Sequence, residues 1–349
     1  MEKWSNFNLE GIFGKDIDTV DGIINDMGTH VSEYSIPKRK GGMRSIIAPM
    51  PDFKYILKGL TYRFFTAYIP NESAHGFVKN KGIVTNARMH NYQPKSVGSI
   101  DIKDFFESVT PKHAENTLFG NKRICKMCKN YDGMCIGKCS PSLYANKNNK
   151  YEHRCEEVLA VKIDGYEEKT GYQSLIRRVI DLTHYKGHAP QGFPTSPVLA
   201  NLALRGFDKK MKEQLEEENI VYTRYADDLS FSSKTHDKFE LRKITYGKAK
   251  SLLKAFGFII NGRKTKYTGR GGRLLVCSVV VNDKMSLARW KVRNFRAGVH
   301  NATIKNKDTT TKKDIRKLKG FASYLMSINK EKGDKYMKQL VDFEKKHLK

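Results

Sequence analysis

The chain has 349 residues, 39% hydrophobic and 11% aromatic, which suits a folded protein of two or three subdomains and excludes an intrinsically disordered one. Sixty-four Lys plus Arg against 37 Asp plus Glu leave a net charge of +27. Such an excess points to a polyanion, nucleic acid first, because Lys and Arg gain affinity for phosphates by releasing condensed counterions.

The first sixteen-residue pattern, Tyr34 to Pro49, reads as two short strands around the basic turn Lys38-Arg39-Lys40-Gly41-Gly42. Helical segments follow through Phe53–Tyr68. Val97 to Ile102 reads as a buried strand, with Phe105 and Phe106 opening the next element. Residues 121–155 are rich in Cys, Lys, Asn and Gly with no hydrophobic period, the composition of an insertion built around something other than a core. From Pro197 to about Glu217 the pattern predicts one helix, capped by Ser196 with Pro197 in its first turn. Val221–Tyr225 and Leu229–Ser233 read as a hairpin with Ala226-Asp227-Asp228 at the bend. A helix ends over Leu252–Gly257, and Leu274–Val281 reads as a single strand.

That run, Leu274–Val281, is the longest strongly apolar stretch and is far too short to cross a bilayer. The opening residues, Met1-Glu2-Lys3-Trp4-Ser5-Asn6, lack the apolar core of a signal peptide. No membrane partner is expected, the location is read as cytoplasmic, and the six cysteines are read as thiols or metal ligands. The last stretch, Lys291 to Lys349, holds 17 basic and 6 acidic residues. Within it Ile315, Leu318, Ala322 and Leu325 fall at helical spacing, so an amphipathic helix with a basic outer face is predicted.

Chemistry concentrates at Tyr225-Ala226-Asp227-Asp228. Two adjacent carboxylates at an exposed bend repel each other unless cations bind there, although a turn with two solvated aspartates is also a common arrangement. A third acid, Asp101, ends a separate apolar strand. If the strands are neighbours, the acids converge on one edge of a sheet and can hold two Mg²⁺ ions for phosphoryl transfer.

Four segments in this order closely resemble the successive palm motifs of reverse transcriptases: Asp101-Ile102-Lys103-Asp104-Phe105-Phe106, Pro190-Gln191-Gly192-Phe193-Pro194-Thr195-Ser196-Pro197, Tyr225-Ala226-Asp227-Asp228, and Phe256-Gly257-Phe258-Ile259-Ile260-Asn261 with Lys264. The resemblance runs from about Tyr34 to Asn329. It implies an α+β right-hand polymerase fold with fingers in residues 1–96, an antiparallel-sheet palm in 97–284 and a basic helical thumb in 285–349. It implies Asp101, Asp227 and Asp228 as the catalytic, Mg²⁺-binding acids, with Ile102 also at the metal site. By the same resemblance Phe106 is the ring that excludes a ribose 2′-hydroxyl, or else plain core. Lys38, Arg39, Arg44, Gln191, Gly192 and Lys264 are then the surroundings of the incoming dNTP, where Gly permits close backbone approach.

Asn86-Ala87-Arg88-Met89-His90 matches the Asn-Ala-x-x-His signature of bacterial retron reverse transcriptases, and Lys319-Gly320 through Asn329 resembles their thumb helix. That family copies part of a structured noncoding RNA into branched RNA-linked DNA, typically with an effector protein in phage defence. Asn86, His90, Lys312, Lys313, Lys317 and Lys319 are the RNA contacts this implies. One departure stands out: the family's Val-Thr-Gly is Val276-Cys277-Ser278 here. Another bacterial reverse transcriptase, diversity-generating or defence type, is the nearest rival; an RNA-binding scaffold without polymerase activity is the more distant one. In the insertion, Cys125, Cys128, Cys135 and Cys139, with His153 and Cys155 beyond, either hold a structural Zn²⁺ or remain free thiols.

Overall fold

The computed structural model describes residues 9–38, 41–118 and 166–348. It divides into two compact units, each assembled from separate stretches of chain. The first holds Met1–Asn71, Asp104–Gly206 and Phe256–Phe258; the second holds Glu72–Lys103, Phe207–Ala255 and Ile259–Lys349.

In the first unit, β1 (Val31–Pro37) and β2 (Met43–Pro49) pair antiparallel from Val31↔Pro49 to Pro37↔Met43, as the sequence predicted. Gly41 and Gly42 take φ of 89° and 82°, a conformation that needs glycine, and Lys38 N–H donates to the Gly42 carbonyl at 2.9 Å. Most hairpin side chains are exposed, so the hairpin stands off the core. The helix Pro51–Arg63 starts on Pro51 and buries Phe53, Ile56, Leu57 and Leu60, one apolar stripe at helical spacing. Phe53 meets the Phe193 ring edge-on at 5.2 Å. The helix Tyr166–Thr183 is tied to the helix Ile17–Asn25 by the bidentate pair Arg178–Asp21.

The helix expected over Pro197–Glu217 is two helices, Ser196–Ala203 and Arg205–Glu216. Leu204 breaks them with ψ near 3°, and the Ser196 hydroxyl donates to the Pro190 carbonyl at 2.6 Å instead of capping. The merged reading arose because buried apolar residues recur across the break at helical spacing; periodicity records which side is buried, not whether the backbone bond continues.

The second unit is built on a four-stranded antiparallel sheet in the order β4-β5-β3-β6, where β3 is Ser96–Ile102, β4 Ile220–Tyr225, β5 Asp228–Ser233 and β6 Ile260–Gly269. Alternation gives β3 two faces. On one, Gly98 lies under the Tyr267 ring, where a Cβ would come within 2.4 Å, and the Tyr267 hydroxyl is hydrogen-bonded to Thr245 of the helix Lys238–Ala255. That face is covered. Ser99 and Asp101 point to the other.

The expected strand Leu274–Val281 is instead a tight hairpin, β7 (Leu275–Val276) and β8 (Val279–Val280). Cys277 and Ser278 make its two-residue turn at φ of 47° and 68°, so a run that is apolar throughout reverses on two residues with no Gly, Asn or Pro to mark it. Leu274, Val276, Val279 and Val281 share a buried cluster with Ala87 and Val97.

The C-terminal helices Arg289–His300, Lys312–Ile328 and Lys330–His347 pack around Phe295, Val299, Ile315, Ala322, Leu325, Leu340 and Phe343. The predicted stripe is found: Ile315, Ala322 and Leu325 are buried and Leu318 is packed against them. Among the described residues no helix is long and apolar enough to cross a membrane.

Candidate active site

The two acid-bearing strands are the central pair of the sheet. Asp101, the last residue but one of β3, lies directly opposite Asp228, the first residue of β5, so both carboxylates rise from the same face at adjacent positions. Asp227 sits in the turn between β4 and β5, and its carbonyl accepts the Ile102 N–H at 2.8 Å, which docks the turn against the end of β3. Ala226, the other turn residue, takes φ 56°.

The electrostatics fit a cation. Burial pushes the Asp228 carboxyl up to about 6, with the charges of Asp227 and Asp101 adding to it and the Ser99 hydroxyl, donating to Asp228 Oδ1 at 2.6 Å, working the other way. Asp101 Oδ1 is buried without a hydrogen-bond partner. Its Oδ2 receives the Lys264 ammonium at 3.0 Å, so a positive charge already stands at one side of the cluster. An orphaned buried acceptor, a carboxyl whose ionisation is opposed by burial and by its acidic neighbours, and an all-oxygen donor set suit Mg²⁺. Among the described residues no three His, Cys, Asp or Glu are gathered to ligand distance, so an ion would have to draw these acids together. Ile102 is buried, with its main chain at the same strand end.

The remaining predicted nucleotide residues belong to the first unit. Lys38 and Arg44 are exposed on the hairpin; Arg39 lies outside the described residues. The Gln191 carbonyl accepts the Ile47 N–H at 2.9 Å, joining its loop to β2. Gly192 has φ 128°, and a Cβ there would lie 2.3 Å from the Ile47 carbonyl oxygen, so no other residue allows that approach. The unit thus brings the Gln191-Gly192 loop against the strand that carries Arg44. Phe105 is core, while Phe106 is half-buried, its ring 5.3 Å from Phe105.

Two expectations need correction. Asn86 and His90 are fully buried, so neither is a surface for RNA. His90 bonds through both ring nitrogens, to Ser232 Oγ at 2.6 Å and Thr223 Oγ1 at 2.7 Å, and burial pushes its pKa down to about 3, leaving it neutral. Asn86 donates to Cys277 Sγ at 3.1 Å. The signature is an internal brace that ties the helix Ile83–Met89 to the sheet and to the β7–β8 turn. Burial pushes the Cys277 thiol up to about 12. Lys319 is also not a free surface cation: its ammonium is held by Glu344 of the last helix. Lys312, Lys313 and Lys317 are exposed, Lys317 3.9 Å from Asp314. Cys125, Cys128, Cys135 and Cys139 lie outside the described residues.

Sequence reasoning passed over Ser99 and Gly76. Parity could have found Ser99, two residues before Asp101 and therefore on its face. Nothing local marks Gly76, where a Cβ would come 2.4 Å from the Ala226 nitrogen.

Residues 182–279 match the family described as reverse transcriptase (RNA-dependent DNA polymerase). The chain is 26% identical over 332 residues to the retron Mx162 reverse transcriptase of Myxococcus xanthus, covering 91% of this chain and 62% of that protein. Against the retron Mx65 enzyme of the same organism the identity is 27%, with 88% and 63% covered, so this chain spans less than two thirds of the length of both. It is 25% identical to the retron Ec86 reverse transcriptase of Escherichia coli, covering 90% and 81%. Among solved structures, apo telomerase from Candida tropicalis superposes with a TM-score of 0.50 at 14% identity, over 90% of this chain and 57% of that one, a likeness of fold alone. The α+β fold with its antiparallel sheet is that of reverse-transcriptase polymerases, and the chain carries a reverse transcriptase domain within a sequence related along most of its length to the retron reverse transcriptases.

Proposed function

We propose that the chain is an RNA-directed DNA polymerase of the retron type, with Asp101, Asp227 and Asp228 as its catalytic acids. The observation that carries the reading is the direct pairing of Asp101 with Asp228 across β3 and β5, with Asp227 in the adjoining turn and a buried Asp101 oxygen left without a donor. The names of the relatives and the matched family support it. Two bound Mg²⁺ ions would supply Lewis acidity at the attacking and leaving oxygens. Asp101, Asp227, Asp228 and the Ile102 carbonyl would hold them. Ser99 orients Asp228, and Lys264 balances charge beside Asp101. Lys38, Arg39 and Arg44 would engage the dNTP phosphates, Gln191 and Gly192 the base-pair region, and Phe106 the sugar.

In this reading residues 1–96 contain the fingers, 97–284 the palm with the insertion 121–155, and 285–349 the thumb. The template is a structured noncoding RNA, the product branched RNA-linked DNA, and the setting cytoplasmic phage defence alongside an effector protein. A +27 chain suits an RNA partner, and the retron relatives supply the class. The test is extension of a DNA or RNA primer on an RNA template with dNTPs and Mg²⁺, followed by sequencing of the nucleic acid that co-purifies. Extension by wild type that is lost in Asp227→Asn supports the reading. A wild-type protein that binds RNA but adds no nucleotide would make it a scaffold.

A further inference from the structure

Behind the acid turn lies a charged network that the chemistry above does not use. Arg224 of β4 is fully buried, and so is Asp208, on the helix Arg205–Glu216. The guanidinium grips the carboxylate with two arms, Nε to Oδ1 at 2.9 Å and Nη2 to Oδ2 at 2.7 Å. The buried Tyr222 hydroxyl donates to the same Oδ1 at 2.7 Å. The third arm, Nη1, donates to the carbonyl of Ala226 at 3.0 Å. The fork is therefore fixed from behind and aimed forward at the residue before Asp227.

The turn is held from the other side as well. The Arg224 N–H donates to the Ser73 carbonyl and its own carbonyl accepts the His75 N–H, both at 2.7 Å, so the segment through Ala74 runs as a parallel bridge on β4. That segment brings Gly76 against Ala226, at a separation that leaves no room for a Cβ. Ala226 itself is left-handed, a conformation an alanine keeps only when its surroundings impose it.

Packing does not require this chemistry. Replacing a buried ion pair by apolar side chains of similar volume is often neutral or stabilising, because desolvating two charges offsets most of their attraction. A planar fork with one arm to spare is what a single carbonyl at a fixed place requires. We infer that Arg224, oriented by Asp208 and Tyr222, is a positioning residue that clamps the Ala226 carbonyl and so sets where Asp227 and Asp228 stand relative to Asp101. The inference rests on the reading of those acids as the catalytic set.

The test compares Arg224→Met/Asp208→Leu, which removes both charges together and leaves apolar side chains in their place, with Tyr222→Phe, which removes one hydroxyl. Two readouts are taken: amide hydrogen exchange of the peptides spanning 225–229 and 96–102 in the protein without nucleic acid, and kcat and KM for dNTP on a template–primer. In the double variant, turn amides should exchange about tenfold faster with 96–102 unchanged, and kcat should fall about tenfold or more with KM within about twofold. Tyr222→Phe should shift both in the same direction by about threefold. A folded double variant with wild-type exchange and kcat overturns the inference. If the double variant does not fold, an unaltered Tyr222→Phe overturns it instead. A wild-type protein without polymerase activity would sink the functional reading alone, since the exchange comparison needs no turnover.

Discussion

Gly76→Ala isolates the placement of the acid turn. The residue does not need glycine for its backbone conformation, because its φ lies outside the left-handed region. The whole effect must come from the added methyl, which would sit 2.4 Å from the Ala226 nitrogen, 3.1 Å from the Tyr225 carbonyl carbon and 3.2 Å from the Ala226 Cα. All three are backbone atoms of the turn, so no flexible side chain can swing aside. Real contacts of this kind do not fall below 3.0 Å, so turn and segment must part by about 0.6 Å. Overpacking of this kind costs about 1–3 kcal/mol of stability, and a displacement approaching 1 Å at a reacting centre lowers turnover by up to about 10²-fold. The expected outcome is a folded protein, a few degrees less stable, whose kcat for RNA-templated extension drops about ten- to a hundredfold with little change in template–primer affinity. Gly247→Ala, on an exposed helix position with nothing within 4 Å, serves as the control and should be neutral or stabilising. Thermal melting and steady-state extension read both variants. If Gly76→Ala turns over within about twofold of wild type, the turn is not held where this geometry holds it.

Asp228→Asn should abolish extension while raising stability in metal-free buffer. Its carboxyl is lifted from 3.8 to about 6 in the fold, so ionising it works against folding as pH rises through that window, by up to ~3 kcal/mol above pH 6. The advantage of the variant should vanish below about pH 4 and shrink when Mg²⁺ is added, and a variant less stable than wild type at pH 8 without metal would contradict it. His90 behaves in the opposite sense: neutral in the fold with a pKa near 3 against 6.5 unfolded, its contribution is complete above pH 6.5 and fades as pH falls from there toward 3. Melting temperature should therefore drop between pH 7 and 5 less steeply in His90→Gln than in wild type, and parallel profiles would show that another group dominates. Phe106→Ala should raise ribonucleotide incorporation relative to deoxynucleotide; an unchanged ratio makes the ring plain core. Charge reversal of the exposed Lys312, Lys313 and Lys317 should weaken RNA binding and reduce the salt slope by about one per lost phosphate contact. An unaltered slope moves the RNA surface elsewhere.

The acid site was legible in the sequence because its signals are local: a turn with two acids between alternating strands, and a third acid closing an apolar strand. Pairing then follows from period-two alternation, which places Asp101 and Asp228 on one face once β3 and β5 are neighbours. What stayed hidden depends on partners far away in the chain. Asn86 and His90 read as polar positions in and at the end of a short helix, and only their hydrogen bonds to Cys277, Ser232 and Thr223 show that they belong inside. Arg224 reads as one more cation in a basic protein until Asp208 and Tyr222 enclose it. The β7–β8 turn was missed because Cys277 and Ser278 adopt left-handed geometry that the family's glycine would make easy at the second of those positions.

The central pairing of the sheet joins residues far apart in the chain. Ile102 ends β3 and Asp228 begins β5, so their meeting must close a long excursion that contains residues 119–165. Closure entropy grows only with the logarithm of contour length, so the presence of those 47 residues adds about 0.4 kcal/mol to bringing the strands together. The toll falls on time rather than on stability, because contacts this distant form late and slowly. The excursion between the first acid and the other two can therefore gain, lose or exchange whole segments while the carboxylates remain in register.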